Sequence, residues 1–330
     1  MKPHPNNACS GRYDDWLEVN LLPECNGSCS WCIEHGGYHP SERASWQRIV
    51  EVAVETGKTN VILLGGEPTI YPDLGNVVQG LHRAGRRVYL TTNGSMLSER
   101  FVRDELGGVS GVNISVHDSD LDRNRGITGI DLNHASLREA ADALHDIGAS
   151  IRLNCNCIRG HVDDRDEVDR YIRFAKSIGV DSVRLAELKG NGNGFVDLVD
   201  VFGEEYGLSP DPFSGGCSVD VTILGFPVNM RTMCGLQTTH REAPVDPEQI
   251  LHGVLYYDGN LYDGWQREGT EMTPETRKAM ADVLGRLDNG IITFEEAKGE
   301  MEKVIDESMV SAGQAGVAKP SPHSGGGCAY

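Results

Sequence analysis

The amino-acid sequence predicts an α/β fold built on a parallel sheet, and three observations lead to this prediction. Six apolar runs of strand length occur before residue 190. Amphipathic segments with helical spacing lie between several of them. A glycine and a few polar residues join such a segment to the next apolar run. Strands that alternate with helices in this way form a parallel sheet with right-handed crossovers.

The predicted strands are short apolar runs that end at glycine or polar residues. In chain order they span residues 16–22, 60–66, 86–94, 111–117, 149–156 and 180–188. Ligands gather at the C-terminal ends of parallel strands. Polar residues occupy these ends here, and they are Glu67, Thr92, Asn93, Ser115, His117, Asn154 and Glu187. The sequence therefore predicts a functional site at this edge.

Three helices are predicted from apolar residues that recur at positions i, i+3, i+4 and i+7. Their apolar faces consist of Trp46, Ile49, Val50 and Ala53, of Leu137, Ala140, Ala141 and Leu144, and of Val168, Ile172 and Ala175. The helices are expected to end near Gly57, Gly148 and Gly179, because glycine commonly follows the last helical residue.

The pattern changes after residue 190. Residues 217–234 and 253–265 are predicted to form hairpins, and the Asp-Gly-Asn turn supports the second of them. Two helices are predicted at 273–288 and 293–309, each opening with a threonine cap. We therefore expect an N-terminal segment (1–14), a barrel domain (15–190), a C-terminal extension (191–310) and a disordered tail (311–330).

The charge balance excludes several classes of function. The chain has 330 residues, and 30 Lys and Arg residues against 49 Asp and Glu residues give a formal net charge of −19. This charge repels phosphate backbones and anionic lipids, so neither nucleic-acid nor membrane binding is expected. No apolar run has the length of a membrane span, and the N-terminal residues lack the apolar core of a secretory signal. A cytoplasmic protein is therefore expected.

Three of the nine cysteines, Cys25, Cys29 and Cys32, form a C-x3-C-x2-C motif directly after the first predicted strand. Clustered cysteines in a reducing cytosol more often hold metal than form disulfides. Three thiolates on one loop can hold three corners of a cubane iron–sulfur cluster and leave the fourth iron open. Zinc binding and incidental cysteines are the alternatives, although structural zinc prefers four protein ligands and no fourth lies at an obvious spacing.

Six motifs occur along the chain, about one per predicted strand: CNGSCSWC (25–32), GGEPT (65–69), YLTTNG (89–94), NISVHD (113–118), GITG (126–129) and RLNCNCIRGHVDD (152–164). In this set and order, the chain resembles the radical S-adenosylmethionine (radical SAM) superfamily, and most closely its MoaA-like branch. The resemblance covers roughly residues 14–190. It implies a partial (β/α)6 TIM-like barrel, here followed by a small α+β C-terminal extension.

The resemblance also implies roles for individual residues. Cys25, Cys29 and Cys32 would bind one [4Fe–4S] cluster, whose open iron is chelated by the amino and carboxylate groups of S-adenosylmethionine. The positions that match cofactor contacts are Trp31, Gly65, Gly66, Glu67, Pro68, Thr92, Asn93, Ser115, Asn154 and Ile158. Trp31 and Ile158 would meet adenine, Gly65 to Glu67 the methionyl ammonium, and Ser115 its carboxylate. Any one of the strand-end polar residues could instead serve only the fold.

The chemistry implied by the resemblance is reductive cleavage of S-adenosylmethionine. An electron donor such as flavodoxin or ferredoxin would reduce the cluster, and the resulting 5′-deoxyadenosyl radical would remove a hydrogen atom from a small-molecule substrate. The candidate catalytic residues are His117, Cys157 and Glu187. Cys157 could act as a hydrogen donor or simply pack in the core. Arg152 and Arg184 could hold a phosphate or a carboxylate.

The chain departs from the MoaA-like pattern in its C-terminal half. That branch carries a second cluster, whereas Cys217, Cys234 and Cys328 are the cysteines after the barrel here. A single cluster is therefore predicted. The C-terminal Gly-Gly of the branch is replaced by GGGCAY, so cyclisation of guanosine triphosphate is not predicted.

The leading hypothesis for function is a radical SAM enzyme that acts on a sugar, nucleoside or nucleotide in specialised, antibiotic-type biosynthesis. A radical SAM enzyme that modifies a peptide is the alternative. A non-enzymatic iron–sulfur or zinc-binding module is the third reading, and it predicts no 5′-deoxyadenosine under reducing conditions.

Overall fold

The structure is a computed structural model that describes residues 15–34, 39–188, 194–208, 218–232 and 253–263, with a few isolated positions between 265 and 303. Ten strands lie within these residues: β1 (Trp16–Asn20), β2 (Asn60–Leu64), β3 (Arg87–Thr92), β4 (Val109–Ser115), β5 (Ser150–Asn156), β6 (Ser182–Ala186), β7 (Ser218–Ile223), β8 (Phe226–Arg231), β9 (Gly253–Leu255) and β10 (Leu261–Asp263). They form one sheet in the order β10-β9-β1-β2-β3-β4-β5-β6-β8-β7.

Helices connect the strands of this sheet. They are α1 (Trp46–Glu55), α2 (Leu74–Arg83), α3 (Glu99–Glu105), α4 (Leu121–Thr128), α5 (His134–Asp146), α6 (Arg165–Ile178) and α7 (Leu198–Tyr206), with a short 3₁₀ helix at Pro68–Ile70. Strands β1 to β6 lie side by side in chain order, and each neighbouring pair is parallel. The sheet is open, because β10 and β7 are its two edges. This is the predicted partial (β/α)6 barrel.

All six strands predicted from the sequence are present, and their ends differ from the predictions by at most two residues. The predicted runs extend too far where they include glycines. Gly65 and Gly94 have φ values of 135° and 82°, so both lie in turns after their strands. Helices α2, α3, α4 and α7 were not predicted, and the sequence signals for α7 lie at its ends. Its first turn is capped by the Asp197 side chain, and Gly207 ends it in the left-handed conformation.

Both predicted hairpins are confirmed, and the structure shows which barrel strands they join. The β7–β8 hairpin pairs with β6, and the β9–β10 hairpin pairs with β1 on the other side of the barrel. In both cases the joining strand is parallel to its barrel neighbour. The described parts of the C-terminal extension therefore continue the barrel sheet at both edges.

Strand parity separates the residues of the sheet into two sets. Alternate residues, such as Val61, Leu63, Ile151 and Leu153, pack into one hydrophobic core with the apolar faces of the helices. The intervening residues face the barrel interior. On β1, β2 and β3 they include an apolar cluster of Trp16, Ile62 and Tyr89, and on β4, β5 and β6 they are mostly polar. The polar side chains of the sheet are therefore concentrated on the interior face of these three strands.

Some predictions fall outside the described residues. These are the N-terminal segment, the disorder expected of residues 311–330, the full course of the helices at 273–288 and 293–309, and the surroundings of Cys217, Cys234 and Cys328. The division of the chain at residue 190 stays a prediction. In the part of the chain that is described, no helix combines the length and the apolar character needed to cross a bilayer.

Candidate functional site

The three cysteines lie on the loop that leaves β1. This loop is tied to the end of β2, because the Gly66 amide donates to the Leu22 carbonyl at 2.7 Å and the Glu67 amide donates to the Glu24 carbonyl at 2.8 Å. A Cβ at Gly66 would overlap the Glu24 carbonyl. Glycine is needed at this position because its backbone touches the backbone of Glu24, the residue before Cys25.

A second contact joins the same loop to the end of α4. The Ser28 amide donates to the Thr128 carbonyl at 2.7 Å, at the end of α4. Gly129, with φ of 72°, ends this helix and turns the chain away beside Ser28. The GITG motif therefore positions the middle of the cysteine loop, a role that its sequence alone did not predict.

The TTNG motif provides the third contact. The Asn93 side-chain amide donates to the Asn26 Oδ1 at 2.7 Å and lies 3.9 Å from the Cys25 Sγ. The Asn26 side-chain amide in turn donates to the Ser95 hydroxyl at 2.9 Å. Three segments that are distant in sequence thus converge on one loop and fix its course.

The thiol chemistry of this loop fits a multivalent metal group. Burial and the neighbouring thiols of Cys32 and Cys25 raise the pKa of Cys29 to about 12, and burial also raises the pKa of Cys25. Three thiolates on one short loop require compensating positive charge, which bound iron supplies.

The arrangement of these thiols is compatible with a cubane. Among the residues that the structure describes, no three His, Cys, Asp or Glu side chains converge as a single-ion site would require. A cubane takes each thiolate on a different iron, so it does not require such convergence. Cys25, Cys29 and Cys32 are therefore a fitting ligand set for a [4Fe–4S] cluster.

Glu67 is buried and joins two strand ends. Its Oε1 accepts hydrogen bonds from the Thr69 amide and hydroxyl at 3.0 and 2.5 Å and from the Thr92 hydroxyl at 2.6 Å. Its Oε2 accepts from the Asn93 amide at 2.7 Å. Pro68 opens the 3₁₀ helix that brings Thr69 into range. The carboxylate thus organises the turn after β2 and the end of β3.

An apolar wall lies beside the cysteine loop. Ile158, Leu188 and Phe195 form a buried cluster, and the half-buried Trp31 and Ile127 pack against it. Trp31 and Ile158 were the two residues predicted to contact adenine, and the structure brings both to this one cluster. The adenine contact itself stays a prediction.

His117 adjoins this wall. Its ring meets the Trp31 ring edge-on, with 5.4 Å between the centroids. Burial, reinforced by the nearby His161, lowers the pKa of His117 to about 4, so the imidazole is neutral near pH 7. The Asn156 amide donates to its Nδ1 at 3.0 Å, which assigns the proton to Nε2. His117 is therefore a hydrogen-bond donor through Nε2 and not an acid at neutral pH.

Polar residues of the interior face lie next to one another across β4, β5 and β6. The strand register places Ser115 beside Asn154, and Asn154 beside Arg184. The Arg152 Nε donates to the Asn154 Oδ1 at 2.9 Å, and the Arg184 Nε donates to the Asn229 Oδ1 at 2.9 Å. The predicted methionyl contacts and the predicted anion contacts thus form one continuous surface.

A third arginine joins this surface from the hairpin. Burial, followed by the charges of Arg184 and Arg231, holds the pKa of Arg152 well below its usual range, and the Asp220 carboxylate acts in the other direction. Three guanidinium groups and one carboxylate thus lie near one another at this point of the interior. Sequence reasoning missed Arg231, although the alternation within the predicted hairpin was a signal that could have placed it.

The structure places Cys157 and Glu187, two of the candidate catalytic residues, in buried positions, and their catalytic roles stay a prediction. Cys157 is fully buried with Cys155 in the helix-facing core, because its strand parity points it away from the interior. Glu187 is buried as well, and its Oε1 accepts from the Leu198 amide at 2.9 Å, which anchors the start of α7.

Asp118 has a structural role that its sequence position did not reveal. It is buried, and its Oδ2 lies 2.7 Å from the His161 Nδ1 and 3.1 Å from the Arg123 Nε. These contacts join the NISVHD motif to the loop after β5. Lys189, another residue near a strand end, lies outside the described residues.

Comparison with known proteins extends these observations. The family model described as "Radical SAM superfamily" matches residues 19–184. A probable GTP 3′,8-cyclase of Saccharolobus islandicus (strain M.14.25 / Kamchatka #1) is 31% identical over 189 residues, which are 56% of this chain and 60% of the relative. A probable GTP 3′,8-cyclase of Pyrobaculum aerophilum is 30% identical over 203 residues, which are 59% and 63% of the two chains. The chain thus spans about three fifths of these relatives.

Among solved structures, Streptococcus suis SuiB bound to S-adenosylmethionine matches with a TM-score of 0.42 and 20% identity. The match covers 52% of this chain and 38% of SuiB.

Proposed function

Because the chain belongs to the Radical SAM superfamily, we propose that it is an enzyme with one [4Fe–4S] cluster on Cys25, Cys29 and Cys32. S-adenosylmethionine would bind at the open iron. The single observation that carries this proposal is the cysteine loop, which three separate motifs hold in place. When bound, these cofactors supply one-electron chemistry that removes a hydrogen atom from an unactivated carbon.

The surrounding residues would bind and orient the cofactor and the substrate. Trp31 and Ile158 offer an apolar surface for adenine and exclude water from it. Ser115 and Asn154 offer polar groups on the interior face, and His117 offers a neutral N–H donor. An electron donor of the flavodoxin or ferredoxin class, in the cytoplasm, would supply the electron. The protein's contribution is positioning, since the cofactors perform the difficult chemistry.

We propose a small anionic molecule as the substrate, such as a sugar phosphate or a nucleotide. Arg152, Arg184 and Arg231 lie near one another at the barrel interior, and guanidinium groups are well suited to bind phosphate and carboxylate. The relatives named GTP 3′,8-cyclases act on a nucleotide, which supports the same class of ligand. Specialised, antibiotic-type biosynthesis is the setting proposed for this reaction.

Anaerobic reconstitution of the full-length protein tests the function. We expect about four irons per chain, as one cubane requires, and 5′-deoxyadenosine when a reductant and S-adenosylmethionine are added. Deuterium should pass from a labelled sugar phosphate or nucleotide into this nucleoside. Iron near eight per chain would contradict the single cluster. Absence of 5′-deoxyadenosine would support a binding module, and uptake from a labelled peptide alone would support peptide modification.

Replacement of Arg184 by glutamine tests the anionic substrate. Loss of a charge-assisted hydrogen bond costs about 1.5–3 kcal/mol, so KM for the substrate is expected to rise about 10- to 100-fold. Formation of 5′-deoxyadenosine without substrate should stay near the parental rate, since Arg184 is not assigned to the cluster. R170Q is the matched control, because Arg170 lies on α6 and pairs with Glu167 at the surface. An unchanged KM in R184Q would refute the assignment.

A further inference from the structure

We propose that Asn93 is a positioning residue that raises the reduction potential of the cluster by donating a hydrogen bond to the Cys25 sulfur, together with the Gly27 amide. This inference rests on the cluster of the proposed function. It assigns to Asn93 a contact with a cluster ligand, and therefore an effect on how readily the cluster accepts an electron.

Two N–H groups approach the Cys25 Sγ. The Gly27 amide nitrogen lies at 3.2 Å and donates to it, and the Asn93 Nδ2 lies at 3.9 Å. The Asn93 amide carries two hydrogens, so it can donate both to this sulfur and to the Asn26 Oδ1 at 2.7 Å. A single side chain therefore links the ligand to the residue that follows it.

The orientation of this amide is fixed from both sides. The Asn93 Oδ1 accepts a hydrogen bond from the Ser95 amide at 2.9 Å, so the Nδ2 must face the cysteine loop. The Asn93 backbone amide donates to the buried Glu67 carboxylate at 2.7 Å. Because the donor cannot turn away, the N–H group stays directed at the sulfur in both oxidation states of the cluster.

The direction of the effect follows from charge. Reduction adds one electron to the cluster, and part of the added charge resides on the cysteine sulfurs. An N–H donor stabilises the more negative state more strongly, so hydrogen bonds to these sulfurs raise the potential. An amide achieves this without a net charge of its own. Removal of the Asn93 donor should therefore make the cluster harder to reduce.

The test is a mediated reductive titration of the reconstituted full-length protein, followed by electron paramagnetic resonance. In N93A the equilibrium constant for reduction is expected to fall about 3- to 10-fold, where tenfold is about 59 mV for one electron. N93D keeps the acceptor for the Ser95 amide but places a carboxylate oxygen against the sulfur, so a larger fall is expected. S95A is the matched control, because it removes the Asn26–Ser95 bond and leaves the Asn93 donor in place.

A fall in N93A and N93D with no change in S95A supports the inference. Equal potentials in the parent and N93A overturn it, and so does an equal fall in S95A, since the effect would then come from loop position. If N93A assembles no cluster, N93S takes its place in the same comparison. Failure of the parent protein to bind iron would instead refute the proposed function, so the two outcomes are distinct.

Discussion

Replacement of Cys29 by alanine is expected to abolish cluster assembly and, with it, all formation of 5′-deoxyadenosine. With only two thiolates left, the loop would hold two corners of a cubane and leave two irons without protein ligands. Iron should fall from about four per chain toward background after anaerobic reconstitution. Iron and sulfide assays and chromatography of the nucleoside product measure both effects, and C25A and C32A should behave alike.

The matched control is C157A. Cys157 is a buried core residue, so loss of its sulfur should cost stability of about 1 kcal/mol and leave the iron content unchanged. Activity should also be retained, because its side chain does not face the interior. Parental yields of 5′-deoxyadenosine in C29A would refute the cluster assignment. Loss of turnover in C157A with normal iron would restore the hypothesis that Cys157 donates a hydrogen atom.

Replacement of Gly66 by alanine is the second change with a large expected effect. The new Cβ would overlap the Glu24 carbonyl, which is backbone and cannot rotate away. The strand end or the cysteine loop must therefore move, and both hydrogen bonds that hold the loop to the end of β2 are placed at risk. We expect the iron content to fall at least about fivefold, with a lower Tm, since an overpacked site typically costs 1–3 kcal/mol.

Gly126 supplies the control for this change. It lies within α4, in the GITG motif, and a Cβ there would meet nothing within 4 Å. Alanine in a helix is favoured over glycine by about 0.5–1 kcal/mol, so G126A should have an equal or higher Tm and parental iron. Normal cluster content in G66A would show that the close approach of the two backbones is not required.

Much of the barrel could be predicted from the sequence because its signals are local. Apolar runs such as residues 60–64 and helical apolar faces such as that of α6 depend only on neighbouring residues. The cysteine spacing is likewise local, and it predicted the cluster ligands without knowledge of the fold. The strand-end residues Glu67 and Asn93 were predicted to lie at the site for the same reason, since parallel strands end at one edge.

Other features depend on contacts between distant segments. The sequence did not show that the Glu67 carboxylate would be engaged by Thr92 and Asn93, or that Asp118 would pair with His161. Nor did it show that the second hairpin adds to β1 while the first adds to β6. Each of these outcomes is decided by which strands become neighbours, and that is a property of the packed sheet.

The sequence by itself determined the class of the fold, and it predicted the cysteine ligand set and the edge of the sheet where the site would lie. Only the tertiary structure decided which side of each strand faces the interior. Successive side chains of a strand point to opposite faces, so Cys157 lies in the helix-facing core and Arg152 lies in the barrel interior. The tertiary structure also places Arg231 of the hairpin near Arg152. This proximity depends on the pairing of distant strands, which the local sequence does not show.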